Sequence, residues 1–121
     1  MNPESTYAFY GSLRRGMINW RRYSKGLLFL FTESLPGFAL YAMEHYPYAV
    51  RTENAHDKTV VEVFKIIDPL IERQIHQLET GVGYSYHEVL IRKKPTGIYL
   101  FDRAGSEPLV PGGDWVEFFG A

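Results

Sequence analysis

The stretch Tyr7-Ala8-Phe9-Tyr10-Gly11-Ser12-Leu13-Arg14-Arg15-Gly16 joins a short apolar segment to a polar loop containing two glycines. Aromatic and apolar residues up to Tyr10 favour a buried strand. Gly11 and Gly16 then allow backbone angles or close approaches that a Cβ would block. Such a loop can turn consecutive N–H groups toward one point and so hold a carboxylate or an oxyanion, with the Ser12 hydroxyl adding a hydrogen bond. It can equally do no more than reverse the chain. Ser12 as a nucleophile is disfavoured, because no Gly-x-Ser-x-Gly elbow surrounds it and no histidine is placed by motif. Glu79 is the second residue with chemical potential. A carboxylate at the end of a helix meets the negative pole of the helix dipole, a penalty of about 0.3–1 kcal/mol. Glu79 is either a solvated terminal residue or a proton carrier whose pKa an apolar setting would raise. Gly81 and Gly83 would let the chain fold back and bring Tyr84 or Tyr86 beside it.

The elements that must position these residues are mostly strands. Segments 6–10, 28–33, 38–41, 49–51, 59–67, 86–92 and 98–101 carry the apolar, β-branched and aromatic residues of short strands. Leu35-Pro36-Gly37 reads as a turn, with Gly37 free to take positive φ. One helix is well signalled over 69–78. Asp68 is its N-cap, Pro69 fits the first helical position, and Ile71, Ile75 and Leu78 form one apolar stripe. Glu79 then falls at or just past the helix end. A shorter helix is expected over 19–25. Mostly antiparallel strands with two flanking helices predict an α+β domain built on a partly closed barrel.

With 121 residues, the chain is expected to form one domain with a sizeable core. The absence of cysteine excludes disulfides, thiolate metal sites and cysteine nucleophiles. The four histidines, His45, His56, His76 and His87, lack metal-ligand spacing. No stretch approaches the ~18 apolar residues of a membrane span, and no signal peptide is expected. A net charge of −1 argues against a general polyanion binder. Charge is nevertheless uneven: residues 1–30 carry Arg14, Arg15, Arg21, Arg22 and Lys25 against Glu4 alone. That cluster is either a solvated face or, through Arg14 or Arg15, a source of charge for an anionic substrate. Trp20 and Tyr23 between the arginines suit single-stranded nucleic acid only superficially. Trp115 is expected in the core or in a pocket wall.

The run Tyr10-Gly11-Ser12-Leu13-Arg14-Arg15-Gly16-Met17, with Asn19, resembles the opening motif of the gamma-glutamylcyclotransferase-like family. More specifically, it resembles the small bacterial branch and the gamma-glutamylamine cyclotransferases. Three further segments follow in the family's order: Leu35-Pro36-Gly37-Phe38-Ala39-Leu40-Tyr41 with Tyr46-Pro47, then Leu78-Glu79 with Gly81-Val82-Gly83-Tyr84-Ser85-Tyr86, then Pro111-Gly112-Gly113-Asp114-Trp115. The resemblance spans about Tyr7 to Trp115.

It implies the same α+β architecture, mixed and mostly antiparallel, with a cavity at one mouth of a partly closed barrel. It also implies a cyclotransferase that releases 5-oxoproline from a gamma-glutamyl amine or dipeptide by attack of the substrate's own α-amine. Glu79 would be the general acid and base. The loop of Tyr10, Gly11, Ser12 and Leu13 would hold the substrate's carboxylate or the oxyanion, and the Tyr86 hydroxyl would orient substrate or glutamate. No cofactor or metal is implied. The expected partner is a small gamma-glutamyl substrate, with no nucleic acid and no membrane, for a cytoplasmic monomer or weak homodimer. Two departures from the family pattern bear on turnover. Thr80 stands where glycine is common, and His87 and Glu88 stand where many members carry an arginine. They leave open a non-catalytic domain that binds a small anion or gamma-glutamyl ligand, or a protein-interaction module.

Overall fold

The structure is a computed structural model that describes residues 2–120. Strand β1 (Thr6–Phe9) leads into the glycine loop and the short helix α1 (Ile18–Tyr23), which closes on a 3-10 turn at Ser24–Gly26. Strands β2 (Leu27–Pro36) and β3 (Phe38–Ala42) are joined only by Gly37, at φ +81, as the Pro-Gly step predicts. Then come β4 (Pro47–Arg51), β5 (Lys58–Ile66), helix α2 (Pro69–Gly81), β6 (Ser85–Ile91), β7 (Lys94–Leu100) and a terminal helix α3 (Trp115–Gly120).

Five strands form one sheet in the order β2-β5-β1-β7-β6. All neighbours are antiparallel except β1 and β7, which meet in parallel at Tyr7 and Gly97. Strands β3 and β4 form a separate two-stranded ribbon. The fold is therefore mixed α+β as expected, but the sheet does not close into a barrel. The ribbon instead meets β5 and the residue after β7 through isolated bonds: Thr59 Oγ1 donates to the Phe38 carbonyl at 3.0 Å, and the Phe101 N–H to the Ala49 carbonyl at 3.1 Å. Among the described residues, no helix is long and apolar enough to cross a membrane.

The central strands are buried because each is covered on both faces. Tyr7, Phe9, Val61, Val63, Phe64 and Ile98 form the middle of the core, against Ile75 of α2 on one side and ribbon residues Leu40, Tyr48 and Ala49 on the other. Helix α2 starts where its capping signals place it: the Leu70 N–H donates to Asp68 Oδ1 at 2.9 Å. It runs three residues beyond the expected end, so Glu79 sits within its last turn. Strand β7 also begins earlier than expected, because Lys94, Pro95 and Gly97 hide its pattern. Gly97 lies against the rings of Tyr7 and Tyr86, where a Cβ would stand 2.7–2.9 Å from ring carbons. Trp115 is buried, packs on Phe118 and Phe119, and does not line the cavity that holds Glu79.

Candidate active site

A cavity of about 310 Å³ opens where the C-terminal end of β1, the glycine loop, the β3–β4 turn and the last turn of α2 meet. That volume suits a small ligand. Gly11, Ser12 and Leu13 form one wall, Leu78 and Glu79 another, and Tyr10, Tyr84 and Tyr99 the interior. Residues 66 positions apart in sequence, Leu13 and Glu79, thus share one site.

Each wall is held by specific bonds. The Gly11 carbonyl accepts from the Arg14 N–H at 3.0 Å, and the Ser12 carbonyl accepts from both Asn19 and Trp20 at the start of α1. Asn19 Nδ2 donates to Ser12 Oγ at 2.8 Å, so the hydroxyl proton of Ser12 is directed elsewhere. Among the described residues, the N–H groups of Gly11, Ser12 and Leu13 meet no protein acceptor. Three consecutive residues with unused N–H donors thus belong to the cavity wall, an arrangement chemically able to hold an anion. Gly11 is required by contact: a Cβ there would stand 2.9 Å from Pro47 Cδ. The Tyr84 hydroxyl donates to the Pro47 carbonyl and pins that same turn. Gly11→Ala should push Pro47 away and lower kcat/KM for a turned-over ligand about 10–100-fold while leaving the fold intact. Steady-state kinetics beside thermal unfolding checks this, and unchanged kinetics would show that the contact is immaterial.

Glu79 is partly buried, and its carboxyl sits among apolar and tyrosine walls. Burial pushes its pKa up to about 7, with no neighbouring cation or hydrogen-bond donor opposing the shift among the described residues. Burial likewise raises the pKa of Tyr10, Tyr84 and Tyr99, and the Glu79 charge raises all three further, so they remain neutral at any ordinary pH. The chain turn after the helix makes this setting: the Glu79 carbonyl accepts from the Tyr84 N–H at 3.1 Å, with Gly83 at φ +108. The site therefore couples a carboxyl that ionises near neutrality to a set of unused N–H donors.

The family model for gamma-glutamyl cyclotransferase, AIG2-like proteins matches residues 7–117. The chain belongs to that family. Among solved structures, an uncharacterized protein of Pyrococcus horikoshii is 31% identical with a TM-score of 0.76, covering 93% of this chain and 90% of that one. The protein ytfP of Escherichia coli is 27% identical with a TM-score of 0.70, over 93% of this chain and 96% of that one. An AIG2-like protein of Mus musculus shares the fold at 17% identity, with a TM-score of 0.69 over 92% and 87% of the two chains. No curated sequence relative matches this chain.

Within this cyclotransferase-type fold, four of the expected site residues, Gly11, Ser12, Leu13 and Glu79, line the cavity with chemistry to offer. Tyr10 also lines it, but its hydroxyl is spent on structure, donating to the Tyr99 carbonyl and accepting from the Ala49 N–H. Tyr86 does not reach the cavity. Its ring packs behind Tyr99, at 5.6 Å between centroids, and its hydroxyl bonds Asn2 and Glu88. The backbone before β6 is the reason: Tyr84 lies outside the strand, after Gly83 at φ +108, and faces the cavity, while Tyr86 within the strand packs beside α2. Sequence reasoning missed Tyr99 as a wall, although its strand was recognised.

Of the two readings of the basic cluster, the one in which Arg14 or Arg15 meets an anionic substrate is not supported. Arg14 is 6% exposed and locked between Glu62 (2.8 Å) and Asp114 (2.7 Å). Arg15 pairs with Glu62 and stacks 3.6 Å over Phe29. Neither lines the cavity. The two departures from the family pattern lie outside it as well. Thr80 is exposed and donates to the His76 carbonyl, while His87 and Glu88 sit on β6.

Proposed function

We propose that this protein is a gamma-glutamyl cyclotransferase that releases 5-oxoproline from a gamma-glutamyl amine or dipeptide. The observation that carries the reading is the raised carboxyl of Glu79 in one cavity with the unused N–H groups of Gly11, Ser12 and Leu13. A gamma-glutamyl substrate holds its own nucleophile, so folding it in the cavity brings the α-amine onto the γ-carbonyl. Such intramolecular placement can supply up to about 7–11 kcal/mol in the best cases.

Glu79 takes a proton from the attacking nitrogen as the new C–N bond forms. It returns that proton to the leaving nitrogen as the original amide bond breaks, so no water is consumed. The loop N–H groups hold the α-carboxylate or the tetrahedral oxyanion. One such donor is worth about 3–4 kcal/mol in the transition state. Ser12, with its hydroxyl oriented by Asn19, is a further donor. Among the described residues no base is hydrogen-bonded to it, and the role of nucleophile does not suit it.

The pH dependence follows from the same carboxyl. Glu79 must be ionised to accept the proton, so kcat/KM should rise tenfold per pH unit and level off near its pKa of about 7. An acid limb near 4.5 would mean that another group is the base. The primary test is a panel of gamma-glutamyl amines and dipeptides assayed for 5-oxoproline. Release from at least one member is expected, and release from none overturns the reading.

A further inference from the structure

His76 precedes Glu79 by three positions on α2, which places the two side chains on adjoining parts of one helix face. Glu79 lines the cavity and His76 does not. His76 Nδ1 instead shares a hydrogen bond of 2.9 Å with the Tyr99 hydroxyl, and its ring lies 5.8 Å from the Tyr99 ring and 6.3 Å from that of Tyr86. Tyr99 is a cavity wall, close enough for the Glu79 charge to act on its hydroxyl. One bond thus joins the helix that carries Glu79 to the wall beside it.

The two ends of that bond are not equally firm. Tyr99 is fixed by the sheet: it sits opposite Tyr86 in the β6–β7 ladder, its carbonyl accepts from the Tyr10 hydroxyl, and its ring stacks on Tyr7 at 6.2 Å. The last turn of α2 is less constrained, because helix C-termini leave carbonyls without partners inside the helix and fray readily. Near the start of α2, Glu72 accepts from Ser5 Oγ at 2.9 Å and from the Tyr7 hydroxyl, but those bonds lie about two turns before Glu79. Glu79 also works against its own placement. A carboxylate in an apolar cavity gains free energy by moving toward water, so ionisation draws the helix end outward. The bond of His76 to Tyr99 opposes that movement within one turn of the carboxyl.

We propose that His76 is a positioning residue: its bond to Tyr99 holds the end of α2, and with it the Glu79 carboxyl, at the place that proton transfer needs. The inference rests on the cyclotransferase reading above.

The test is a set of variants assayed for 5-oxoproline release from the fastest member of the gamma-glutamyl panel. Leucine fills the place of the ring but offers no nitrogen. His76→Leu should lower kcat/KM at least tenfold, since a misplacement of about 1 Å can cost about 10²-fold. Asparagine puts a polar atom near the position of Nδ1, so His76→Asn should recover most of the activity. Tyr99→Phe removes the other partner and should lose as much as His76→Leu, and the double variant should lose no more than either. Ser5→Ala breaks a bond at the far end of the helix and should leave kcat/KM within twofold of the parent. Full activity in His76→Leu, additive losses in the double variant, no recovery with His76→Asn, or an equal loss in Ser5→Ala each overturn this inference and leave the cyclotransferase reading standing. Should His76→Leu fail to fold, full activity in Tyr99→Phe overturns it in the same way. Release from no gamma-glutamyl compound by the parent protein removes both.

Discussion

Glu79→Gln should lower 5-oxoproline release by about 10²–10⁴-fold, the usual worth of a positioned general acid–base group. Glutamine keeps the size of the side chain and its place in the last turn of α2, but cannot take the proton from the attacking nitrogen. Ligand binding, followed by thermal shift, should persist. The same substitution should stabilise the protein at neutral and basic pH. The Glu79 carboxyl is raised from 4.5 to about 7 on folding, so the folded state favours the neutral form. Below pH 4.5 the group is protonated in both states and contributes nothing. Between 4.5 and 7 the unfolded chain ionises while the folded one resists, and stability falls. Above 7 the penalty is constant, with a ceiling of about 3 kcal/mol. Glutamine carries no such penalty. Denaturant unfolding at pH 4.5 and pH 8 should therefore show the variant matching the parent at the lower pH and exceeding it at the higher. An inactive variant with no gain at pH 8 would mean that the carboxyl is not held in an apolar site, and activity within a few fold of the parent would sink the mechanism.

This opposition of stability and chemistry was partly legible in the chain. Asp68-Pro69 and the Ile71, Ile75, Leu78 stripe are local signals, and they fix α2 and thereby Glu79 without any tertiary information. The apolar setting of Glu79 follows from an abundance of aromatic residues, but which of them surround it does not. Tyr84 and Tyr86 are both plausible neighbours in sequence, and it is the turn at Gly83, which keeps Tyr84 outside β6, that faces it inward. Strand alternation alone would put residues two apart on one face, so the glycines before the strand, and not its period, separate the two tyrosines. The β6–β7 connection was illegible for a related reason. Arg92 and Lys93 both adopt positive φ, at 51 and 67, without the Asn-Gly or Asp-Gly pair that announces such a turn. Barrel closure was overestimated because strand count does not say which edges pair. The ribbon of β3 and β4 pairs within itself and packs on the sheet through its buried side chains and a few isolated bonds, without extending the strand ladder. The arginines of the glycine loop stayed open in sequence, as a solvated face or a charge for a ligand, because their carboxylate partners lie 47 or more residues away.

Arg14→Met should lower the unfolding free energy by about 3–5 kcal/mol, the usual result of removing one partner from a buried ion pair. Arg14 links three remote parts of the chain: the glycine loop, Glu62 of β5, and Asp114 at the start of α3. Glu62 is 4% exposed, and its remaining partner, Arg15, has a side chain about half exposed, so the vacated carboxylate would be under-compensated. Burial opposes ionisation of Asp114, but hydrogen bonds from Arg14 and the backbone hold its pKa below the ordinary value. Its contribution to stability is thus present above the unfolded pKa and lost as pH falls through the folded one, and Arg14→Met should weaken that acid-side dependence. A second substitution separates this account from simple loss of packing. In Arg14→Met with Glu62→Leu the buried carboxylate is gone, and part of the lost stability should return, because an apolar pair of similar volume replaces the ions. A substrate-binding arginine predicts the opposite pattern: stability near that of the parent, KM raised by an order of magnitude or more, and no rescue by Glu62→Leu. Urea unfolding of the two variants beside their KM for a turned-over gamma-glutamyl amide decides between a strut that shapes the anion loop and a charge that meets the ligand, and the contacts of Arg14 place it as the strut.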